Sequence, residues 1–284
     1  MKSLKFKIFS ILIITMAILA LDILVIEPNS LNIRYQSISS NTITEEFNNY
    51  TIMFFSDLNF GDYTDEARVQ KIVNRINEIK PNTIVFLGDL YNYTKSNTNI
   101  TLEIQERLTN ILKEIDVKYG KFAVLGNYDV SDNIDVANPA LTTLTNAGFE
   151  VLNNNKVNLY HNNNNYITLT GLSSFFSKDY QILNLDPVID ENHFNIVVAH
   201  EPDIFTSLIS NNINLFVGAH SLGGQINLPF YGPLFLPEGA KKYYNGQYYV
   251  ANTIIDVTSG VGLANYKARF LANSELLVYR LIKE

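Results

Sequence analysis

The most constraining feature of this sequence is a repeated alternation of short apolar runs with segments of helical periodicity. Residues 51–55 form an apolar run that stops at Ser56-Asp57, as a buried parallel strand would. A helical repeat follows, for which Thr64 offers an N-cap, and Pro81 ends it. Such strand-helix pairs predict an α/β fold with a layered sandwich architecture.

The alternation continues along the chain, first as strand-helix pairs and later mainly as strands. Further strands are predicted at residues 83–87, 122–125, 157–160, 166–172, 194–199, 213–217, 248–257 and 275–281, and further helices at residues 104–115 and 138–148. A chain of 284 residues with 46% hydrophobic residues can bury one sizeable core, so we expect one folded domain.

An apolar segment near the N-terminus predicts a helix that spans a membrane. Residues 8–26 carry a single charged side chain, and their length is close to the roughly 20 residues that a spanning helix needs. A cleavable signal peptide is the alternative, but Ile18 stands where cleavage after Ala20 requires a small residue. Three preceding lysines predict a cytoplasmic N-terminus, so we expect a single-pass protein of the cell membrane with an extracytoplasmic C-terminal domain.

The predicted organisation has four parts. They are a short cytoplasmic N-terminus (1–7), a transmembrane anchor (8–28), a polar spacer rich in Ser, Asn and Thr (29–49) and a globular domain (50–284). The net charge of -7 and the lack of a long basic run argue against nucleic acid as a partner. The chain has no cysteine, so any metal must be held by oxygen and imidazole nitrogen.

Six residues with oxygen or imidazole donors follow the predicted strands closely. They are Asp57, Asn59, Asp89, Asn127, His200 and His220. Because ligands bind at the carboxyl ends of strands in open α/β sheets, we expect these side chains to meet. Each has an ordinary explanation as a turn or cap residue, but two of only four histidines follow buried strands, which favours a binuclear metal site. His161 and His193 lie in polar loops and receive no role.

The segments around these residues resemble the motifs of the calcineurin-like metallophosphoesterases, and in particular of a bacterial membrane-anchored branch. The matching segments are Ser56-Asp57-Leu58-Asn59, Gly88-Asp89-Leu90, Gly126-Asn127-Tyr128-Asp129, His200-Glu201-Pro202-Asp203, and residues 219–226, which read AHSLGGQI. The resemblance runs from Tyr50 to the C-terminus and includes the preceding anchor. It implies the layered α/β sandwich of that family, with two central sheets flanked by helices.

The resemblance also implies two sets of metal ligands. One divalent ion (Mn, Fe or Zn) is held by Asp89, Asn127, His200 and His220. The second ion corresponds to Asp57, Asn59, Asp89 and Leu222. The first set is complete, so one metal site is expected, and the second site is doubtful.

Three departures from the family motifs bear on activity. Leu222 has no lone pair, and Asn59 offers an amide oxygen in place of an imidazole, so we expect low occupancy at the second site. Tyr128 stands at the position of the family's catalytic His, and a phenol with a pKa near 10 is poorly matched to proton transfer at neutral pH. Rearranged ligation through Tyr128, Asp62 or Asp129 stays open, although Asp129 is better explained as a structural residue.

Two functions are consistent with these residues. The first is a metal-dependent phosphoesterase of reduced activity, which hydrolyses phosphomonoesters or phosphodiesters by a metal-bound hydroxide. The alternative is a catalytically inactive pseudoenzyme that serves as a metal-stabilised binding module of the cell envelope. The apolar residues 228–236 suit a lipid-linked phosphate substrate, or equally a buried connection between strands.

Overall fold

The computed structural model describes residues 2–92, 100–130, 138–162, 164–178, 189–208 and 212–284. The helices in this part of the chain are α1 (Lys2–Leu21), α2 (Glu27–Asn29), α3 (Glu66–Ile79), α4 (Leu102–Lys113) and α5 (Pro139–Asn146). The strands are β1 (Asn32–Ser40), β2 (Thr51–Phe55), β3 (Thr83–Phe86), β4 (Lys121–Ala123), β5 (Phe149–Val151), β6 (Asn155–Tyr160), β7 (Tyr166–Gly171), β8 (Asn195–Val198), β9 (Leu215–Gly218), β10 (Asn227–Leu228), β11 (Gly232–Pro233), β12 (Gly246–Val250), β13 (Thr253–Val257) and β14 (Glu275–Lys283).

Most of these strands form two six-stranded sheets. The first has the order β1-β14-β2-β3-β4-β5 and the second the order β12-β13-β9-β8-β7-β6, while β10 and β11 pair separately. Strands β2 to β5 are parallel in the first sheet. Strands β7, β8, β9 and β13 are parallel in the second. The carboxyl ends of each parallel set therefore lie along one edge of its sheet.

Side-chain alternation explains how the two sheets pack. Successive side chains of a strand point to opposite faces, so Phe54 and Phe55 of β2 enter different hydrophobic clusters. Phe54 packs in the cluster shared with the second sheet, and Phe55 packs in the cluster shared with α3, α4 and α5. The predicted sandwich of two sheets is confirmed. The outer face of the second sheet packs against a 3-10 turn, Pro202–Ser207, rather than against one of the described α-helices.

Two predicted details differ from the structure. Helix α3 is capped by Asp65, whose side chain accepts the backbone N–H of Arg68 at 2.9 Å, and not by Thr64. The predicted strand 248–257 is in fact the antiparallel pair β12–β13. Ala251 lies between these strands with a left-handed φ of 50°, so the chain reverses there within an otherwise apolar run.

The predicted polar spacer, residues 29–49, is instead part of the folded domain. Residues 32–40 form β1, which pairs in parallel with β14 over nine residue pairs. Ile38, Ile43 and Phe47 are buried in the cluster between the sheets. The globular unit therefore begins near residue 32. Residues 32–40 are polar because they form an edge strand with one face in solvent.

The N-terminal apolar helix runs from α1 into α2 through a π-helical turn, Asp22–Ile26. In a π-helix the carbonyl of Ile23 would accept the N–H of residue 28, which Pro28 lacks. The backbone N–H of Arg269 donates to that carbonyl instead, at 3.0 Å. In the described residues, one helix, Leu4–Asn29, is long and apolar enough to cross a membrane.

Candidate metal centre

Residues that follow four strands, at their carboxyl ends, line one cavity of about 310 Å³. The cavity is lined by Asp57 and Asn59 after β2, Asp89 after β3, Asn127 and Tyr128 after β4, and His220 after β9. His200, after β8, is fully buried behind this lining and contacts both Asp89 and His220. The structure thus brings together all six residues that the sequence grouped, while their roles as ligands stay predictions.

Several residues of the cavity wall have positive backbone φ angles, and five of them belong to the predicted ligand sets. The φ angles are 52° at Asp57, 48° at Asn59, 60° at Asp89, 68° at His220 and 53° at Leu222. Asp, Asn and His adopt this region several-fold more often than other non-glycine residues, whereas leucine gains nothing from it. Strained residues cluster at functional sites, and Leu222 shares this conformation with its carboxylate, amide and imidazole neighbours although its side chain has no donor atom.

Two glycines let the loops after β3 and β4 approach each other beneath Asp89. A Cβ at Gly88, whose φ is 96°, would lie 2.9 Å from Nδ1 of His200 and would collide with the backbone of Gly126. A Cβ at Gly126 would in turn collide with the side chain of Asp89. Only glycine fits at both places, and their contact sets the position of the Asp89 carboxylate.

The hydrogen bonds of the two histidines direct their free nitrogens toward one point. Nδ1 of His200 lies 2.6 Å from the carbonyl of Leu87, and a carbonyl can only accept, so this nitrogen carries the proton. Nε2 of His220 lies 2.9 Å from the carbonyl of Glu238 and carries its proton for the same reason. In the neutral rings the remaining nitrogens, 3.2 Å apart, have lone pairs that face each other, and Oδ2 of Asp89 lies 3.2 Å from Nε2 of His200.

This convergence fits a divalent cation. One donor atom each from Asp89, His200 and His220 lies within 4.8 Å of the others. Oδ1 of Asn127 is buried and has no hydrogen-bond partner among the described residues. Three acceptors that face one another, with an orphaned amide oxygen in the same cavity, are satisfied by a cation with oxygen and nitrogen ligands.

The electrostatics of the buried groups agree with this fit. Burial by itself would raise the pKa of Asp89, but His200, His220 and the backbone N–H of Tyr128 together hold that pKa below its ordinary value. Burial opposes the charge on His200, yet Asp89 and then Asp57 hold the pKa of His200 well above its ordinary value. Burial raises the pKa of Asp57 against the attraction of His200, and Asp89 adds to the increase. The carboxylates thus favour a positive charge on His200, and a cation bound between these donors would take the place of that proton.

A second part of the cavity wall, formed by Asp57, Asn59 and Leu222, offers fewer donors. Oδ2 of Asp57 accepts a hydrogen bond from Oγ of Ser56 at 2.5 Å. Oδ1 of Asn59 is buried and has no hydrogen-bond partner among the described residues. Leu222, 6% exposed, contributes only hydrocarbon. This wall presents oxygen atoms alone, a donor set that suits hard cations such as Mg²⁺ or Mn²⁺ better than Zn²⁺.

Asp129 and Asp62, which the sequence left open as substitute ligands, do not line the cavity. The carboxylate of Asp129 accepts the backbone N–H groups of Asp89 at 2.8 Å, Leu90 at 3.0 Å and Gly126 at 3.0 Å. Burial and the neighbouring Asp89 raise the pKa of Asp129 to about 7. Asp129 thus joins the loops after β3 and β4, which agrees with the expectation that it is a structural residue. Asp62 is exposed on a turn before α3.

Sequence reasoning missed the role of Arg269, which is fully buried. Its guanidinium donates to the carbonyls of Leu222 at 3.2 Å, Ser259 at 2.8 Å, Gly262 at 2.9 Å and Ala272 at 2.5 Å. Burial lowers the pKa of Arg269 to about 10, so the side chain stays charged at neutral pH. Arg269 therefore joins the loop that carries Leu222 to the loop behind Asp57, a role that no local sequence pattern reveals.

Comparison with known proteins places these observations among relatives. A family model described as calcineurin-like phosphoesterase matches residues 50–225. The uncharacterized metallophosphoesterase YkuE of Bacillus subtilis is 29% identical over 256 residues, which cover 90% of this chain and 87% of that protein. The UDP-2,3-diacylglucosamine pyrophosphatase LpxG of Chlamydia trachomatis is 24% identical, with 72% and 73% covered. The phosphodiesterase YaeI of Escherichia coli is 24% identical, with 82% of each chain covered.

Proposed function

The chain belongs to the calcineurin-like phosphoesterase family, and from this premise we propose that it hydrolyses phosphate esters with a divalent metal ion. The proposed ligands are Asp89, Asn127, His200 and His220. The observation that carries the proposal is the convergence of three donor atoms, one each from Asp89, His200 and His220, within 4.8 Å. Family members are metal-dependent hydrolases, and this part of the cavity retains a set of donors that fits one ion.

When bound, the ion supplies Lewis-acid polarisation of the phosphoryl group and activation of a water molecule. The chain's own residues orient the ester against it. Asp57 and Asn59 present oxygens across the cavity, where a second hard cation is proposed to bind weakly and together with substrate. Burial raises the pKa of Tyr128, so its phenol stays protonated and donates a hydrogen bond to a phosphoryl oxygen.

The proposed activity is reduced because a proton-transfer group is missing. Tyr128 holds its proton too firmly to give it to a leaving group at neutral pH, and general acid-base assistance is typically worth about 10² to 10⁴ in rate. With only the oxygens of Asp57 and Asn59 beside Leu222, the second cation is held weakly, so a second phosphoryl oxygen receives less stabilisation of its charge. We therefore expect slow turnover, best with substrates whose leaving group needs little protonation.

The N-terminal helix is proposed to anchor the domain in the cell membrane, with the domain on the extracytoplasmic side. The helix Leu4–Asn29 has the length and composition for it, and the basic residues lie before the apolar segment. One relative is named for a diacylated sugar nucleotide. An anchored enzyme of this family is suited to a lipid-linked phosphate ester, and we propose that substrate class.

The first test measures metal content and hydrolysis on the full chain in detergent. We expect about one tightly held ion per chain, loss of aryl phosphodiester hydrolysis after chelation, and its return when Mn²⁺ is added back. The same protein before chelation is the control. A folded protein that binds no divalent metal, or a hydrolysis rate that chelation leaves unchanged, would contradict the proposal.

A second candidate function rests on Leu222, whose side chain occupies a ligand position with hydrocarbon. One bound ion with no hydrolysis of aryl monoesters or diesters, in a protein that keeps its unfolding temperature, would favour a metal-stabilised binding module of the envelope. The same experiment therefore separates the two functions, because both require the ion and only one requires turnover.

A further inference from the structure

An exposed apolar hairpin lies beside the cavity. Residues 226–237, here called the apolar hairpin, contain no charged side chain and include the pair β10–β11. Phe230 at its tip is fully exposed, Tyr231 is 76% exposed, and Leu234 and Phe235 are 54% and 64% exposed. So many large apolar side chains in one uncharged stretch indicate a contact surface rather than an ordinary part of the solvated surface.

Hydrogen bonds connect the apolar hairpin to the end of the N-terminal helix through one short segment. The side chain of Asn227 donates to the carbonyl of Leu271 at 2.9 Å. The backbone N–H of Leu271 donates to the carboxylate of Glu27 at 2.9 Å, and that of Arg269 donates to the carbonyl of Ile23. The base of the hairpin is thus held directly against the helix end.

The position of these contacts along the helix sets the level of the hairpin. Ile23 lies three residues before the end of the apolar segment, and a helix rises about 1.5 Å per residue, so the contact is within about 5 Å of that end. If the helix spans a bilayer, its apolar end coincides with the boundary between acyl chains and headgroups. The apolar hairpin then starts at that boundary.

We propose that the apolar hairpin inserts into the membrane leaflet on the domain's side, as a second membrane contact beside the anchor. This inference rests on the membrane anchor proposed above. The bilayer is the occupant because the hairpin is bonded to the helix that enters it. Phe and Tyr side chains on an uncharged turn suit insertion to about 5–10 Å, where amphipathic and apolar segments lie at the interface.

This contact places the mouth of the cavity at the membrane surface. Phe235 of the apolar hairpin lines the cavity, and so does Tyr266, which precedes the segment bound to the helix. Gln225 links the two sides, because its side chain donates to the carbonyls of Tyr266 at 2.9 Å and Ala268 at 3.0 Å. A phosphate ester on a lipid tail would then reach the cavity along the hairpin without leaving the bilayer surface.

The absence of tryptophan from the chain allows a direct test. Single-tryptophan variants of the full chain, Phe230→Trp, Leu12→Trp and Tyr160→Trp, are placed one chain per lipid nanodisc, with or without brominated phospholipid. Leu12 lies in α1 and reports whether the anchor is in the bilayer. Tyr160 pairs with Tyr166 at the start of β7, the end of the sheet opposite the cavity, and is a matched exposed aromatic control.

We expect bromine to reduce the fluorescence of Leu12→Trp strongly and that of Phe230→Trp by roughly half, with Tyr160→Trp unchanged, because bromine quenches only at the depth of the acyl chains. Quenching at position 12 without quenching at position 230 would overturn the hairpin proposal and leave the anchor standing. Lack of quenching at position 12 would contradict the anchor itself, and the hairpin proposal with it. Equal quenching at positions 230 and 160 would also overturn it, since the hairpin would not then be a specific contact. None of these outcomes depends on metal binding or turnover.

Discussion

The two halves of the cavity share a backbone geometry and differ in what their side chains offer a cation. In one half, Nε2 of His200 lies 3.2 Å from Nδ1 of His220 and 3.2 Å from Oδ2 of Asp89, so three donor atoms converge. In the other half, Asn59 presents a single orphaned amide oxygen, and Leu222 presents hydrocarbon from a left-handed residue. The first half has both oxygen and imidazole donors around one point, whereas the second has only the oxygens of Asp57 and Asn59.

The difference shows that the shape of a ligand loop and its ligands are maintained separately. The loop that carries Leu222 is fixed by the hydrogen bond from Arg269 to the Leu222 carbonyl. The loop behind Asp57 is fixed by the close approach of Gly260, where a Cβ would lie 2.9 Å from the side chain of Asp57. Because backbone contacts hold both loops, their shape does not require an imidazole at residue 59 or 222, and the backbone alone is a poor guide to how many ions bind.

The largest expected effect comes from removal of a ligand in the complete half. His220→Ala deletes one of three converging donors, and we expect Mn²⁺ affinity to fall by more than about 100-fold, above the 10- to 100-fold cost of losing a ligand's hydrogen-bond partner. Calorimetric titration of the full chain measures it. His220 is only partly buried, so the variant is expected to fold.

His193→Ala is the matched control for that variant. His193 stacks on Tyr166 at 3.9 Å and pairs with Asp190, away from the cavity. Its removal is expected to leave Mn²⁺ affinity unchanged. If His220→Ala binds Mn²⁺ as tightly as the parent does, the complete half is not the metal site and the comparison between the halves fails.

A smaller effect is expected from repair of the incomplete half. Asn59→His combined with Leu222→His supplies two imidazoles to a wall whose backbone already has the left-handed conformation that histidine tolerates. We expect the number of bound ions to rise from about one to about two, with the second held at least roughly tenfold more tightly than in the parent. Metal content after gel filtration and a two-site titration measure it.

The control for the repaired site is Asn59→Gln with Leu222→Met, which changes the same positions and adds no imidazole. It is expected to bind the same number of ions as the parent. If the double histidine variant also binds no more metal than the parent, then residues 59 and 222 do not face a common ion.

The sequence predicted the architecture where its pattern was local and strong. Strand β2 and helix α3 appear within a residue or two of their predicted bounds. A continuous apolar run and a repeat at helical spacing are easily told apart in the sequence. Strand β1 was missed because its residues are polar and its pairing partner, β14, lies more than two hundred residues away. An edge strand with one solvated face has no period that distinguishes it from a linker.

The sequence predicted which side chains meet at the candidate site, but it did not predict the residues that hold the surrounding loops in place. Asp57, Asp89 and His200 each lie within two residues of the end of an apolar run, so the position of each at a strand end was readable from the sequence. Arg269 was not, because its four carbonyl partners come together only through tertiary packing. The hydrogen bonds that link the apolar hairpin to the helix end were not predicted for the same reason.

The smallest expected effect concerns Tyr128, whose side chain is not among the proposed ligands of either half. Its backbone N–H donates to Oδ1 of Asp89 at 3.0 Å, so Tyr128→Phe keeps that bond and should leave Mn²⁺ affinity unchanged. Loss of one hydrogen bond to substrate is worth about 0.5–1.5 kcal/mol, so we expect kcat/KM for an aryl phosphodiester to fall by roughly 2- to 12-fold.

Tyr128→His sharpens the same measurement, because an imidazole restores a group whose ordinary pKa of about 6.5 suits proton transfer. Its expected gain in kcat should be larger for alkyl than for activated aryl leaving groups, which need less protonation. If the phenol itself transferred a proton, Tyr128→Phe would instead lose rate mainly with alkyl esters. The leaving-group dependence therefore separates a hydrogen-bond donor from a general acid at position 128, whatever the number of ions beside it.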